Sequence, residues 1–465
     1  MNNLILMKPS PEDRLSNEVY DDLFIEVSWL YEQRQGIFKD PTYQWIDLQS
    51  FESRLMFFLD ALILRNHTVD AYCQEHAFDG DTGNVFTAVY VLAKRNGLSA
   101  IQPLINEIDF DDPAFRNAFI DAVTLALSHD DKKTLVTQFF ADNTPAKLEI
   151  AAKLSGDNRF NQIDLLLQTL KQAIESDNPT DYESLLQSAL TALGQQLPLS
   201  VPAKQDFTCL YALIEQGHSD ATLYCLSIAM LKARQDDIIR QGVAHMEQQA
   251  WPILPLAVHG KVGIKHFYAP LLTNKHSSPE QINDLLLALG LLGLPEDIPT
   301  LIQYLEHPEF AENAATALQL MTGADLYEDV FVPEEIDPAD LFPDELEKYE
   351  RGEPLYPEGE EPGETINQVV RDSATWQQWY SEHKPSFSAG QRYRYGQVIT
   401  APVLLNALKA EKTPHRIRAF IVDELAIQFD TDVKINQNVF VDAQVQTIEQ
   451  TIKTTEERNN RNSGI

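Results

Sequence analysis

Cys73 and His76 stand three residues apart in a stretch with helical spacing, so both side chains would share one helix face and could ligate one metal ion. A structural zinc needs four ligands, however, and no second Cys/His pair lies at a zinc-site distance. The residues therefore read as a core thiol beside a surface histidine. Asp79-Gly80-Asp81-Thr82-Gly83-Asn84 has the alternating acids of a calcium loop, but Gly83, Asn84 and Tyr90 occupy the positions that need an acid, a glycine and a glutamate. It reads as a polar turn before a helix. His259, His266 and His276 are spread over a loop-rich region without an acidic cluster at fixed spacing. There is no nucleophile elbow, no phosphate-cradling glycine loop and no histidine pair with a glutamate on one helix. The expectation is a protein with no catalytic, cofactor-binding or metal residues. An enzyme with scattered catalytic groups is kept as a third reading.

The elements that would carry any site are helical. Ile101, Leu104, Ile105 and Ile108, followed by Phe115, Ala118, Phe119 and Ala122, can be laid over Ile298, Leu301, Ile302 and Leu305, followed by Phe310, Ala314, Ala317 and Leu318. Each set reads as a short helix, a turn at Asp112-Pro113 or His307-Pro308, and a second helix rich in small residues. Such repeated pairs mark a solenoid. Further helices are expected over 21–38, 47–64, 85–94, 133–140, 163–174, 182–193, 207–215 and 221–233, with Thr144 as an N-cap before Pro145. Spacing by threes and fours dominates, and strand signals are almost absent before residue 390. The fold class is all-α: an α-solenoid of degenerate helix pairs, an acidic proline-rich insertion, and a small, mainly helical C-terminal unit. The expected division is an N-terminal extension (1–19), a repeat domain (20–323), a linker or insertion (324–365), a C-terminal unit (366–452) and a frayed tail (453–465).

At 465 residues the chain exceeds one ordinary core, unless the core grows along an array. A net charge of −34 disfavours nucleic acid and anionic membranes and favours a basic partner, or simply solubility. The three cysteines are too few and too scattered for a disulfide framework and suit a reducing cytoplasm. The first fourteen residues lack the apolar core of a secretory signal. The longest apolar run, near Leu285–Leu294, falls well short of the ~20 residues of a membrane span. It reads as a buried helix.

From Asp325 to Glu364 sixteen acids, among them Glu334, Glu335, Asp337, Asp340, Asp344 and Glu345, face only Lys348 and Arg351, and six prolines interrupt any helix. This run is either a solvated linker or a docking strip for a basic partner. Beyond it lie Trp376 and Trp379, then Arg392-Tyr393-Arg394-Tyr395. Tryptophan, tyrosine and arginine dominate binding hot spots, which makes these six residues candidates for recognition. The alternatives are a buried helix face for the tryptophans and ion pairs with the acidic run for the arginines.

Several segments, in order, resemble a family of proteobacterial HEAT-repeat-like proteins whose genes are often found near type VI secretion genes. They are Ser28-Trp29-Leu30-Tyr31, Leu48 to Leu55, Gly83 to Ala88, Ala314 to Leu318 with Thr322-Gly323-Ala324, Trp376 to Tyr380 and Gly390 to Tyr393. The resemblance implies a cytoplasmic protein-binding role around a contractile secretion system. The protein would be an adaptor or chaperone for an effector or spike component, or an immunity protein that neutralises a toxin. It implies no catalytic residues.

Overall fold

The spacing that predicts helices is realised almost throughout the chain. The protein is mostly helical in a computed structural model, which describes residues 11–463 apart from 40–43, 66, 177–181, 198–205, 335, 337, 339–340, 358–361 and 437. It divides into two compact units. The first is residues 1–281 with 399–465, and the second is 282–398. The expected boundaries at 323 and 366 are therefore displaced. The two sequence-matched helix pairs fall in different units, and the expected C-terminal unit is split at 398.

The first unit opens with α1 (Pro11–Lys39), α2 (Leu48–Ile63), α3 (Thr68–His76) and α4 (Thr82–Asn96). Next come α5 (Leu98–Ile105), α6 (Pro113–Ala126), α7 (His129–Asp142), α8 (Pro145–Asn158), α9 (Ile163–Ile174) and α10 (Glu183–Gln196). Then follow α11 (Ala212–Gln216), α12 (Asp220–Lys232), α13 (Asp237–His245), α14 (Ile253–His259) and α15 (Lys265–Leu272). The second helices stack in turn: α4 on α6, α6 on α8, α8 on α10, α10 on α12, and α12 on α14. The first helices α5, α7 and α9 pack against α4, α8 and α10.

Local chemistry explains the starts and the close approaches. The Asp81 carboxylate accepts from the Gly83 amide at 3.1 Å, so the suspected calcium loop is the N-cap of α4. Asp112 caps α6 through Ala114 at 2.8 Å, with Pro113 in the first turn. Helix α8 starts at Pro145 as expected, but the Thr144 hydroxyl makes no capping bond. Every residue from Val85 to Ala93 is buried, so α4 is apolar all round and lies inside. A Cβ on Gly156 of α8 would stand 2.7 Å from Ala192 Cα of α10, which only glycine allows.

After residue 398 the chain returns to this unit as α21 (Ala401–Lys409), α22 (His415–Phe429) and α23 (Val441–Ser463). Helix α22 packs on α12 and α14, and α23 packs on α2 and α21. The tail expected to fray continues as helix to Ser463. Arg418, fully buried, lies 3.6 Å from the centre of the Trp45 ring and donates to Leu408 O and Gln444 Oε1. Burial lowers its pKa to about 10. Arg34 donates through Nε to Glu52 Oε1 at 2.8 Å and through Nη2 to Asn438 O at 2.9 Å. The Val441 amide donates to the other Glu52 oxygen at 2.6 Å. This buried pair thus ties the first two helices to the last.

The second unit contains most of α16 (Pro279–Leu292), then α17 (Ile298–Tyr304), α18 (Ala311–Thr322), α19 (Pro343–Glu350) and α20 (Ser373–His383). The apolar run Leu285–Leu292 is buried in α16. The acidic segment is a correction to the sequence reading. Its ends form antiparallel strands β1 (Tyr327–Pro333) and β2 (Gly363–Val369), with Tyr327 opposite Val369 and Pro333 opposite Gly363. Backbone pairing orders these ends although they bury little side-chain surface. A second short pair joins β3 (Tyr393–Arg394) to β4 (Gln397–Val398).

Replacing Glu52 with Ala leaves the Arg34 charge buried without its counter-charge. Denaturant unfolding is expected to show a loss of about 3–5 kcal/mol. The apolar double change Arg34→Met with Glu52→Leu is expected to recover most of that loss. A double variant no more stable than the single one would contradict this account of the pair.

Candidate binding cleft

The second helices α8, α10 and α12 present one edge each to a cleft of about 460 Å³ within the first unit. Helix α22 and the irregular stretch Val433–Asn436 form its other side. On α10 the lining residues Gln187, Thr191 and Gln195 recur every four positions, one face of the helix. Helix α8 contributes Lys153, Gly156 and Asp157, and α12 contributes Tyr224, Cys225, Ile228 and Lys232.

Asp157 lies where these surfaces meet. One of its oxygens accepts from Gln195 Nε2 at 3.3 Å and the other from Asn436 Nδ2 at 2.9 Å. Burial pushes its carboxyl up to about 6, against the opposing pull of Lys153 and of the Gln195 hydrogen bond. Lys153 Nζ donates to Asn117 Oδ1 at 3.3 Å. Near Asp157, Asp121 accepts from Tyr31 Oη and Gln35 Nε2, each at 3.0 Å, and burial raises its pKa. The stretch from α22 to α23 is held across the same helices by ion pairs. Arg159 pairs with Asp432, Lys232 with Asp423 at 2.6 Å, and Arg234 with Asp430.

Compared with family models, curated proteins and solved structures, the chain matches none.

Two arrangements deserve comparison with catalytic ones. Burial pushes the Cys225 thiol up and outweighs the hydrogen bond that Thr191 Oγ1 donates to its sulfur at 3.6 Å, so the thiolate needed for nucleophilic attack is disfavoured. Glu183, His218 and Ser219 cluster at the start of α12. Here burial would push Glu183 up, but hydrogen bonds from Thr222, His218 and Ser219 outweigh it and hold the carboxyl at about 2. Ser219 Oγ donates to Glu183 Oε2 at 2.9 Å, while His218 Nδ1 faces Glu183 Oε1 at 2.9 Å. The hydroxyl is thus directed at the carboxylate, and Ser219 is the N-cap of α12, which makes the cluster a helix cap.

The residues singled out in the sequence are placed elsewhere. Cys73 is buried and burial pushes its thiol up to about 12. His76 Nδ1 lies 2.6 Å from Asp79 Oδ2. Among the described residues no group of three His, Cys, Asp or Glu side chains is placed to hold a metal ion, and His259, His266 and His276 form no such group. Trp376 is fully buried and donates to Val370 O at 2.7 Å, with Trp379 edge-on to it. Arg392 and Arg394 donate to the last carbonyls of α16, at Gly290, Leu291 and Leu292. Both cations therefore sit where the α16 dipole favours them. Tyr393 is buried, and the Tyr395 amide donates to Leu320 O at 2.8 Å. The recognition reading of Trp376, Tyr393 and Arg394 is corrected, because buried side chains that hold a fold together offer no contact surface. Glu334 and Asp344 are exposed, and Glu345 Oε2 accepts from the Phe342 amide at 3.0 Å. Glu335, Asp337 and Asp340 lie outside the described residues.

Sequence reasoning missed the cleft. Its one legible sign was the spacing of Gln187, Thr191 and Gln195 by fours along one face of the helix. The Asp157 carboxyl, pushed up to about 6 in the fold from an ordinary 3.8, favours the fold most below about pH 4, and that contribution is lost as pH rises through about 6. Asp157→Asn cannot ionise, so it is expected to be more stable than the parent above about pH 6 and to flatten the profile between about pH 4 and about pH 6. Urea unfolding across that range measures it, and identical profiles would contradict the shift.

Proposed function

We propose that this protein is a non-catalytic protein-binding scaffold, an α-solenoid of degenerate HEAT-like helix pairs that holds an extended partner segment on its second helices. The observation that carries this reading is that the chain's own stretch from Asp430 to Asn436 lies across those helices. There it is held by Arg234, Arg159 and Asp157. A surface that orders an irregular segment of its own chain has the side chains to order one from a partner. A stacked array also supplies a long face with little cost in core, since each pair packs mainly on its neighbours.

The partner proposed from the family resemblance is a type VI secretion effector or spike component, held by this protein in the cytoplasm as an adaptor or chaperone before loading. No membrane-spanning role is needed: among the described residues no helix is long and apolar enough to cross a membrane.

Affinity purification of the full chain from its native cell, followed by mass spectrometry, tests the proposal. Recovery of a secretion effector or spike protein is expected, with loss of secretion but no self-intoxication when this protein is deleted. Deletion that poisons the cell would replace the adaptor reading with the immunity one. Recovery of neither class of protein would sink the scaffold reading.

A further inference from the structure

The chain carries 36 basic residues against 70 acidic ones, but the cleft reverses that ratio. Lys153, Arg159, Lys232 and Lys434 line it against Asp157 and Asp423. Where the face is covered, the pattern of pairing is uniform. The cation comes from the helical array and the carboxylate from the returning C-terminal limb, as Arg159 with Asp432, Lys232 with Asp423, and Arg234 with Asp430. The limb therefore shows which chemistry this face accepts: chain bearing carboxylates, one of them on α22 and two just beyond it.

Two of the lining cations are not used in this way. Lys153 Nζ donates to an amide oxygen, that of Asn117, while its charge also bears on Asp157 and Asp121 of the array, and Lys434 is exposed and makes no ion pair among the described residues. Beside them stand two carboxamides with capacity in reserve. Gln187 donates one N–H to Thr222 Oγ1 at 3.2 Å and Gln195 donates one to Asp157 at 3.3 Å. A carboxamide has two N–H donors and an acceptor oxygen, so each retains a donor and an acceptor, the complement of a peptide unit.

We infer that the cleft receives an extended acidic peptide, its carboxylates on Lys153 and Lys434 and its backbone on Gln187 and Gln195. The inference rests on the scaffold reading and specifies the partner segment. It concerns a different surface from the acidic run, which would suit a basic partner. The net charge of −34 repels acidic polymers at long range. Saturable binding of one therefore reports a local site that overcomes the field of the whole molecule.

Fluorescence anisotropy on the full chain tests this with two labelled peptides, a Ser-Glu repeat and a matched Ser-Lys repeat. The Ser-Glu peptide is expected to bind saturably. Lys434→Glu, at an exposed position, and Lys153→Gln are each expected to weaken it about tenfold, the equivalent of about 1.4 kcal/mol. Neither change is expected to weaken any binding of the Ser-Lys peptide. Failure of the Ser-Glu peptide to bind, or binding indifferent to both substitutions, would overturn the inference. If the native partner is still captured in that case, the scaffold reading stands and only the chemistry assigned to the cleft falls.

Discussion

The first unit depends on one buried ion pair. Arg34 and Glu52 lie on neighbouring helices near the start of the chain, and both are almost inaccessible to water. Neither could stay charged there without strong local partners. Each has them: Glu52 accepts from Arg34 and from the Val441 amide, and Arg34 also donates to Asn438 O. Phe38 and Phe440 cover the guanidinium, with ring centres 4.5 and 5.4 Å away. The second partner of each group belongs to a segment some four hundred residues on. The ionic centre is therefore satisfied only when the C-terminal limb is in place.

That requirement shapes the cleft. Arg418 against Trp45, and the Trp45 indole donating to Ala410 O at 3.1 Å, fix α21 and α22 to the opening of the chain. Between Arg418 and Val441 the limb must cross the edges of α12, α10 and α8, and its acids meet the cations there. The cleft is the space left between limb and array, with Val433 buried on one side and the α10 carboxamides on the other. The shifted Asp157 follows from the same geometry, since the crossing stretch covers it and supplies Asn436 as a partner.

How much of this could be read beforehand varies with sequence distance. Helix starts were legible because their causes are local: Asp112 with Pro113, Asp81 with Gly83, and Pro145. The pairs at Ile101 and Ile298 were legible because burial repeats every three or four residues, and both became helix pairs. The strands β1 and β2 were not, since each finds its hydrogen bonds in the other across the acidic run, and composition argued against order. The Arg-Tyr-Arg-Tyr cluster misled for a related reason. Residue type suggested recognition, but the carbonyls that Arg394 satisfies belong to Gly290 and Leu291, about a hundred positions away. The cleft was the least legible feature. Asn436, one of the two partners of Asp157, lies 279 positions along the chain from it, and no local pattern links the two.

The limb is an integral part of the first unit, locked by its charged contacts. Amide hydrogen exchange across residues 430–441 tests this most directly. The Val441 amide, held by Glu52, is expected to be protected to the same degree as the interior of α4 and α10, and to lose that protection together with them as denaturant rises. Rapid exchange at Val441 under native conditions, while α4 and α10 stay protected, would show that the limb detaches on its own and would contradict the account.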